Sequence, residues 1–395
     1  MTYSSVFAQL APEALSMKLY STTAKDVELA LKNPSGNLDS LLALLSPAAM
    51  PYIEPMAKQA AQLTRQRFGA NIGLFLPLYL SNLCANECDY CGFSMSNKVK
   101  RKTLTRDELA AEMAIIKQRG FDSILLVSGE HETKVGMEYF ESVLPLVSRA
   151  FNYVAMEVQP LETDQYQRLG KLGVDAVMVY QETYRAHTYA QHHTRGKKQD
   201  FIYRLDTPDR VAKAGIDKIG LGVLLGLDDW RLDALLMGFH LDYLENTYWR
   251  SRYSISLPRL RPCTGGITPK VELTDAGLVQ MICAFRLFNP QLEISLSTRE
   301  LPSLRDNLLP LGITHMSAGS STQPGGYMAP DSQLDQFEIS DNRPVEQVVE
   351  QMKRRGIAEC STRFSASNNI CCHSRSTKTC GAKYIGTRYC DFKFS

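Results

Sequence analysis

From residue 71 onward, short apolar runs alternate with stretches of helical periodicity. The apolar runs cover residues 73–80, 123–127, 153–158, 176–180, 219–225, 253–257, 292–296 and 315–318. Helix-like segments between them cover residues 107–119, 139–150, 164–172, 209–214, 232–245 and 275–288. Near-continuous apolar strands alternating with helices are typical of a parallel sheet covered on both faces. Eight such units predict an α/β fold of the closed (β/α)8 TIM type, with an open doubly wound sheet as the alternative.

The first 70 residues have a different pattern. Apolar stripes of helical spacing run through residues 24–32 and 38–45, and a third helix is predicted over 56–68, directly after Pro55. No cluster of titratable residues stands out among them. We therefore predict three regions: a helical layer over 1–70, a barrel over 71–355, and a tail over 356–395.

Three cysteines follow the first apolar run. Cys84, Cys88 and Cys91 form a C-x3-C-x2-C pattern in a polar loop that includes Gly92. Thiolates are the ligands of iron–sulfur clusters, and three of them hold three irons of a four-iron cluster, which leaves the fourth open. Zinc would require paired C-x-x-C motifs and a fourth ligand nearby. A disulfide framework does not suit an odd number of cysteines. The remaining alternative is three unrelated buried cysteines.

Polar side chains follow most of the predicted strands. The candidates are Ser128, Gly129 and Glu130 after the second strand, Glu157 and Gln159 at the third, Tyr180 and Gln181 at the fourth, and Arg299 after the seventh. In a barrel these positions meet at one face, where catalytic groups lie. They predict one shared polar cavity. A structural ion pair is the alternative for Glu157, and ordinary packing is the alternative for Gln159, Tyr180 and Gln181.

Arg299 is the strongest candidate after the cysteines. A guanidinium at the end of a strand is a bidentate receptor for a carboxylate, which an amino-acid substrate would present. Arg259 and Arg261 are alternatives for this role, unless they form structural pairs.

A tyrosine-rich segment contains three histidines that are candidate metal ligands: His187, His192 and His193. No i,i+4 spacing places them on one helix face, so surface or core packing is expected.

Charge and hydropathy exclude several protein classes. The 44 basic residues nearly balance 42 acidic ones, which argues against a nucleic-acid-binding or membrane-surface protein. No apolar run is long enough to span a bilayer, and the N-terminus lacks the pattern of a signal peptide. We expect a cytoplasmic protein with reduced thiols.

The cysteine loop resembles the cluster loop of the radical S-adenosylmethionine (SAM) superfamily, and Ser128-Gly129-Glu130 resembles its second signature. Further segments are similar to the 2-iminoacetate synthase family, the tyrosine lyases of thiamine biosynthesis. These segments are residues 156–163, 179–184, 221–230, 256–262, 295–300 and 322–327. The resemblance extends from residue 1 to about residue 355 and includes a region shared with biotin synthase.

The resemblance implies two cofactors. The three cysteines would hold a [4Fe–4S] cluster, with SAM chelating its open iron. The Ser128–Glu130 turn would meet the ammonium group of SAM. Tyr90, Glu157 and Gln159 would complete the cofactor site, with Glu157 on the ribose hydroxyls or the amino group.

The resemblance also implies a reaction. An adenosyl radical would take a hydrogen atom from the amino group of L-tyrosine, and the Cα–Cβ bond would break to give 2-iminoacetate and 4-cresol. SAM would become methionine and 5′-deoxyadenosine. Arg299 would hold the substrate carboxylate, beside Tyr180 and Gln181. A thiazole synthase partner protein would take the product, and a reduced flavodoxin-type protein would supply electrons.

The tail departs from the family. It lacks the family's tryptophan-rich end and is rich in Ser, Thr and Cys, which predicts poor packing. An altered reading frame near residue 357 explains this composition.

The related tyrosine lyase of [FeFe] hydrogenase maturation is one alternative function, but it binds a second cluster through a C-x2-C motif. The tail cysteines here, Cys360, Cys371, Cys372, Cys380 and Cys390, form no such motif. A regulatory metal site in the tail is another alternative. A non-catalytic iron–sulfur scaffold of the thiazole synthase complex is a third, but it would not need Glu130, Gln159 or Arg299.

Overall fold

The computed structural model describes residues 2–32 and 36–360, and two short paired strands, Phe364–Ser365 and Ile370–Cys371. The predictions about the tail's cysteine side chains and about its reading frame lie outside these residues.

Eight parallel strands form a closed barrel. They are β1 (Asn71–Ser81), β2 (Ser123–Ser128), β3 (Tyr153–Glu157), β4 (Ala176–Met178), β5 (Lys218–Gly222), β6 (Arg252–Ser256), β7 (Glu293–Leu296) and β8 (His315–Ser317). β1 closes the barrel because it pairs with β2 through its second half and with β8 through its first half. The predicted (β/α)8 barrel is therefore confirmed, and the doubly wound alternative is wrong.

The helices of the barrel are α6 (Arg106–Gln118), α7 (Met137–Ala150), α8 (Thr163–Lys171), α9 (Ala186–His192), α10 (Phe201–Leu205), α11 (Thr207–Lys213), α12 (Trp230–Thr247), α13 (Asp275–Phe288), α14 (Pro302–Leu308) and α15 (Val345–Arg354). The connection between β7 and β8 holds only the short helix α14, near the weak helix suggested by the sequence.

Five helices precede the barrel: α1 (Tyr3–Phe7), α2 (Pro12–Ser21), α3 (Ala24–Lys32), α4 (Leu38–Leu45) and α5 (Ile53–Phe68). α5 begins three residues before the predicted start at Met56, because Pro55 is tolerated in the first turn, where its missing N–H has no partner to lose. α4 and α5 pack against α13, and α4 also packs against α12. The N-terminal layer thus covers the barrel's outer helices.

The largest difference from the sequence prediction lies between β4 and β5, where only one helix, over 209–214, was predicted. The structure adds α9, the strand His193–Arg195, a 3-10 turn at Lys197–Gln199, and α10. We call residues 186–205 the strap. Its strand pairs antiparallel with Glu87–Cys88 of the cysteine loop, which is distant in sequence, so no local pattern could predict it.

The start of the tail also differs from the prediction. Ala358–Cys360 forms a ninth strand parallel to Asn71–Gly73, at the amino end of β1. β1 begins two residues before its pairing with β8, and these residues offer unpaired backbone groups that a further strand can use.

Within the described residues, no helix is both long enough and apolar enough to cross a membrane.

Candidate active site

The barrel encloses a cavity of about 250 Å³. Cys84, Cys88 and Cys91 all line it at the carboxyl end of the strands. Lys218 and Glu293, the first residues of β5 and β7, line it at the amino end. A barrel interior is normally filled by layers of apolar side chains, so a lined cavity of this depth is a feature of a binding site.

The cysteine loop is held by a half-buried arginine. The guanidinium of Arg101 donates hydrogen bonds to the carbonyl oxygens of Phe93 at 2.9 Å, Ser94 at 2.6 Å and Asn97 at 3.1 Å. A guanidinium offers five donors in a fixed fork, so this one side chain can bind three carbonyl groups of the loop at once. The loop is ordered by contacts within the protein chain.

The turn at Gly129 packs directly against this loop. The backbone N–H of Ala85 donates to the carbonyl oxygen of Glu130 at 2.8 Å. A Cβ atom on Gly129 would lie 2.4 Å from the carbonyl oxygen of Leu83, a backbone atom that cannot move aside. Glycine is therefore required at this position by the approach of the two backbones.

The carboxylate of Glu130 is fully engaged. It accepts from the side-chain amide of Asn86 at 2.8 Å and from the guanidinium of Arg204 at 2.9 Å. Burial opposes its ionisation, but the charges of Arg204 and Lys198 hold the pKa of Glu130 below its ordinary value. Glu130 therefore ties the strap to the cysteine loop.

The three thiols form a donor set suited to a cluster. Burial raises the pKa of all three thiols, to about 11 for Cys84, so the thiolates need the positive charge of a bound metal to form. The hydroxyl oxygens of Ser128 and Ser320 also line the cavity and are buried without a hydrogen-bond partner among the described residues. These two hydroxyl groups could form hydrogen bonds with a polar ligand bound beside the thiols.

Arg299 lies in the same cavity. Its guanidinium stacks 3.5 Å from the ring centre of Phe337 and donates to the carbonyl oxygen of Arg259 at 3.3 Å. Within the described part of the chain, it forms no ion pair, and burial lowers its pKa. A guanidinium in the cavity wall without a direct ion pair is an attractive site for a carboxylate.

The two competing arginines are engaged elsewhere. Arg259 and Arg261 both bind the buried carboxylate of Glu300, and neither lines the cavity. Both arginines therefore form structural ion pairs, which was the alternative to binding a substrate carboxylate.

Glu157 and Tyr180 both line the cavity, and burial, in addition to the ionised carboxylate of Glu157, raises the pKa of the Tyr180 hydroxyl. Burial, together with the negative charge of Glu182, raises the pKa of Glu157 to about 7. Glu182 itself is paired with Lys198 at 2.7 Å and adopts a positive φ of 67°, a strained conformation for a residue with a side chain.

Gln159 and Gln181 do not line the cavity. Side chains alternate along an extended backbone, so Gln181 faces away when Tyr180 faces inward. The side-chain amide of Gln159 instead donates to the carbonyl oxygen of Val135 at 2.9 Å. Both side chains are buried, as the packing alternative requires.

Comparison with known proteins identifies the family. Residues 78–237 match the model of the Radical SAM superfamily, and residues 256–358 match that of the Biotin and Thiamin Synthesis associated domain. The chain is 53% identical over 357 residues to 2-iminoacetate synthase of Escherichia coli K12, which covers 90% of this chain and 95% of that protein. The chain belongs to the 2-iminoacetate synthase family of radical SAM enzymes.

Solved structures agree with this fold. The structure of HydG, a maturase of the [FeFe]-hydrogenase, superposes with a TM-score of 0.84 at 29% identity, over 89% of this chain and 79% of that one. HydG of Carboxydothermus hydrogenoformans gives a TM-score of 0.80 at 31% identity, over 86% of this chain and 80% of that one. Methylornithine synthase (PylB) shares the fold alone, with a TM-score of 0.68 at 20% identity, over 86% of this chain and 98% of that one.

Membership of the radical SAM family implies a [4Fe–4S] cluster and SAM. In this 2-iminoacetate synthase relative, the strap contributes cavity residues that the sequence analysis missed: Lys198 and Arg204. Glu182, after the fourth strand, lines the same cavity. No strand-end pattern marks the strap residues, because they reach the cavity only through its pairing with the cysteine loop.

The three histidines of the tyrosine-rich segment differ in their exposure and contacts. His187 is exposed, whereas His192 and His193 are buried against the cysteine loop. His192 Nδ1 lies 2.9 Å from the carboxylate of Asp89, and His193 Nε2 lies 2.6 Å from the hydroxyl of Tyr90.

Proposed function

We propose that this enzyme cleaves the Cα–Cβ bond of L-tyrosine to give 2-iminoacetate and 4-cresol, with SAM converted to methionine and 5′-deoxyadenosine. The 2-iminoacetate would serve thiazole formation in thiamine biosynthesis. The observation that carries the proposal is Arg299, a buried guanidinium without an ion pair in the described residues, in the same cavity as Cys84, Cys88 and Cys91.

The cofactor roles follow from the cavity lining. We propose that Cys84, Cys88 and Cys91 hold the cluster and that Ser128, Gly129 and Tyr90 surround SAM. When bound, the cluster and SAM supply a 5′-deoxyadenosyl radical. Glu130 supports this site through Asn86 and Arg204, and Gln159 supports it through the backbone of Val135.

Arg299 would fix the substrate carboxylate, and Tyr180 would lie beside it in the cavity wall, with Gln181 packed behind. Hydrogen abstraction from the amino group requires a neutral amine. Glu157 would accept the ammonium proton on a carboxylate oxygen, a role supported by its pKa of about 7, which suits a base that works near neutral pH. Glu157 would then act in the proton transfer in addition to its predicted contact with SAM.

The proposed partner proteins are a thiazole synthase and a reduced flavodoxin-type electron donor. Both proposals are supported by the family resemblance.

The tyrosine lyase of hydrogenase maturation remains the second candidate, because the HydG structures superpose over most of this chain. The higher identity to 2-iminoacetate synthase over nearly its full length favours the thiamine enzyme. A non-catalytic scaffold is the third candidate. It would have no use for an unpaired cavity arginine.

The test is anaerobic turnover of the reconstituted enzyme with SAM, a reductant and L-tyrosine, with products identified by mass spectrometry. We expect 4-cresol and 5′-deoxyadenosine together. Deoxyadenosine without cresol would reject tyrosine as the substrate, and neither product from a fully loaded protein would support the scaffold.

The Arg299→Ala variant tests the carboxylate site. We expect cresol formation to fall about 100-fold or more, since a charge-assisted bidentate contact contributes about 3 kcal/mol, while uncoupled SAM cleavage falls much less. Arg261→Ala is the matched control, because Arg261 lies outside the cavity and binds Glu300. Equal loss of both reactions in Arg299→Ala would contradict the assignment.

A further inference from the structure

The Tyr90 side chain forms part of the cavity wall between two of the cysteines. Its ring packs in a small apolar cluster with Cys88, Leu224, Leu227 and Leu260. The Tyr90 hydroxyl lies 2.6 Å from Nε2 of His193, and the ammonium of Lys198 lies 5.6 Å from the centre of the Tyr90 ring. The hydrogen bond to His193 is thus the polar contact that selects one orientation of the Tyr90 ring.

The direction of this hydrogen bond is fixed by the other nitrogen of the ring. His193 Nδ1 lies 2.7 Å from the carbonyl oxygen of Tyr189, which can only accept. Nδ1 therefore carries the proton and Nε2 accepts from the Tyr90 hydroxyl. This assignment is that of the neutral imidazole, in which the nitrogen that does not carry the proton is a hydrogen-bond acceptor.

The backbone of His193 is tied to the same loop, since His193 pairs with Cys88 in the short antiparallel ladder. The neighbouring His192 reaches Asp89, which does not line the cavity. Two strap histidines thus form hydrogen bonds with the loop, and the hydrogen bond of His193 is the one made to a cavity residue. The His192 ring meets the Tyr90 ring edge-on, with 6.3 Å between their centres.

We propose that His193 is a positioning residue for SAM: it holds Tyr90 in the orientation that completes the cofactor side of the cavity. The proposal rests on the SAM site of the proposed function and is independent of the amino-acid substrate. Without the acceptor, the Tyr90 hydroxyl would be buried unpaired or would turn the ring out of the wall.

The test compares His193→Phe with the wild type in the reconstituted holoenzyme. We expect the KM for SAM to rise about fivefold or more, the effect of about 1 kcal/mol from one buried neutral hydrogen bond, while kcat changes less than twofold. Bound iron per chain should stay at the wild-type value. The change that SAM causes in the electron paramagnetic resonance spectrum of the reduced cluster should require a correspondingly higher SAM concentration.

Four further variants separate positioning from stability. His193→Gln carries a side-chain oxygen that can accept in place of Nε2 and should restore much of the SAM affinity. Tyr90→Phe should match His193→Phe, and the double variant should be no worse than either single one. His192→Phe loses the hydrogen bond to Asp89 but keeps an aromatic ring edge-on to Tyr90, so it should lower thermal stability without raising the KM for SAM.

The proposal is overturned if His193→Phe binds SAM like the wild type, if it loses iron in proportion to its loss of SAM binding, or if the two single variants add in the double variant. Wild-type enzyme that binds SAM and forms deoxyadenosine but no cresol would overturn the tyrosine reaction alone and leave this test unaffected.

Discussion

Some charged side chains in the cavity form an ion pair within the protein, and others do not. Glu130 is paired with Arg204, and Glu182 is paired with Lys198. Arg299 and Glu157 have no ion pair within the described residues. Paired charges hold the strap and the loop in place, and unpaired ones are available to a ligand, so we propose that Arg299 and Glu157 carry the chemistry.

The pH dependence of turnover tests Glu157. Below its pKa of about 7 the carboxyl is protonated and cannot accept a proton, so kcat for cresol formation should rise as the pH increases through 7. Glu157→Gln should remove this rise and slow cresol formation about 100-fold. The measurement is cresol release at saturating tyrosine and SAM across the pH range.

Glu138→Gln, a change at an exposed carboxylate, is the control and should keep the wild-type profile. If Glu157→Gln kept the rise near pH 7 and only raised the KM for SAM, the residue would bind the cofactor and the base would lie elsewhere.

At the level of elements, the amino ends of the strands carry an ionic layer where a barrel ordinarily has an apolar one. The ammonium of Lys218 on β5 lies 2.7 Å from the carboxylate of Glu293 on β7, and Arg252 on β6 also binds Glu293 at 3.2 Å. Both Lys218 and Glu293 are almost fully buried. Three adjacent strands are therefore joined by one carboxylate.

Glu293→Gln should lower the free energy of unfolding by about 3 kcal/mol, because it leaves Lys218 as a buried charge with a neutral partner. The measurement is chemical denaturation of the variant against the wild type. Glu54→Gln breaks an exposed pair with Lys58 and should change stability by less than about 0.5 kcal/mol. A Glu293→Gln variant as stable as this control would contradict the ionic account.

The same carboxylate predicts an acid sensitivity. Burial opposes its ionisation, but Lys218, His315 and Arg252 lower the pKa of Glu293 from 4.5 to about 2. Between these values the unfolded chain binds more protons, so this part of the stability is complete above about pH 4.5 and is lost as the pH falls toward 2. The stability difference between wild type and Glu293→Gln should therefore narrow as the pH is lowered through this window.

At the level of the whole molecule, the cavity lining extends from Gly73 to Phe337 and includes residues of all eight strands. The site therefore forms only when the barrel closes. The ninth strand at Ala358–Cys360 lies against the opposite, amino end of β1. The ninth strand and the cysteines of the predicted cluster site are thus at opposite ends of the barrel.

Truncation tests this separation. A chain ending at Cys360 should bind as much iron as the full chain and release the same amount of 5′-deoxyadenosine, because every cavity residue is retained. A chain ending at Gly356 also loses the ninth strand, and its Tm should fall by a few degrees with iron unchanged. Loss of iron on truncation at Cys360 would instead indicate a metal site in the tail.

The sequence alone determined the features that depend on local pattern. Apolar runs of strand length alternating with helices predict the barrel, since burial on both faces removes polar residues from a strand. The spacing of Cys84, Cys88 and Cys91 predicts their convergence, since three residues in one short loop cannot separate far. The position of Gly129 directly after the second strand likewise predicts that it lies at the same end of the barrel as the cysteine loop.

Only the tertiary structure decided which side chains face the cavity and which charges are paired. Tyr180 and Gln181 are neighbours in sequence, yet the alternation of an extended backbone places one inside and one outside. Lys198, Arg204 and His193 belong to a strap without apolar periodicity, and its pairing with the cysteine loop joins segments about a hundred residues apart. Such pairings are set by the closed barrel that brings the segments together, so no window of local sequence contains them.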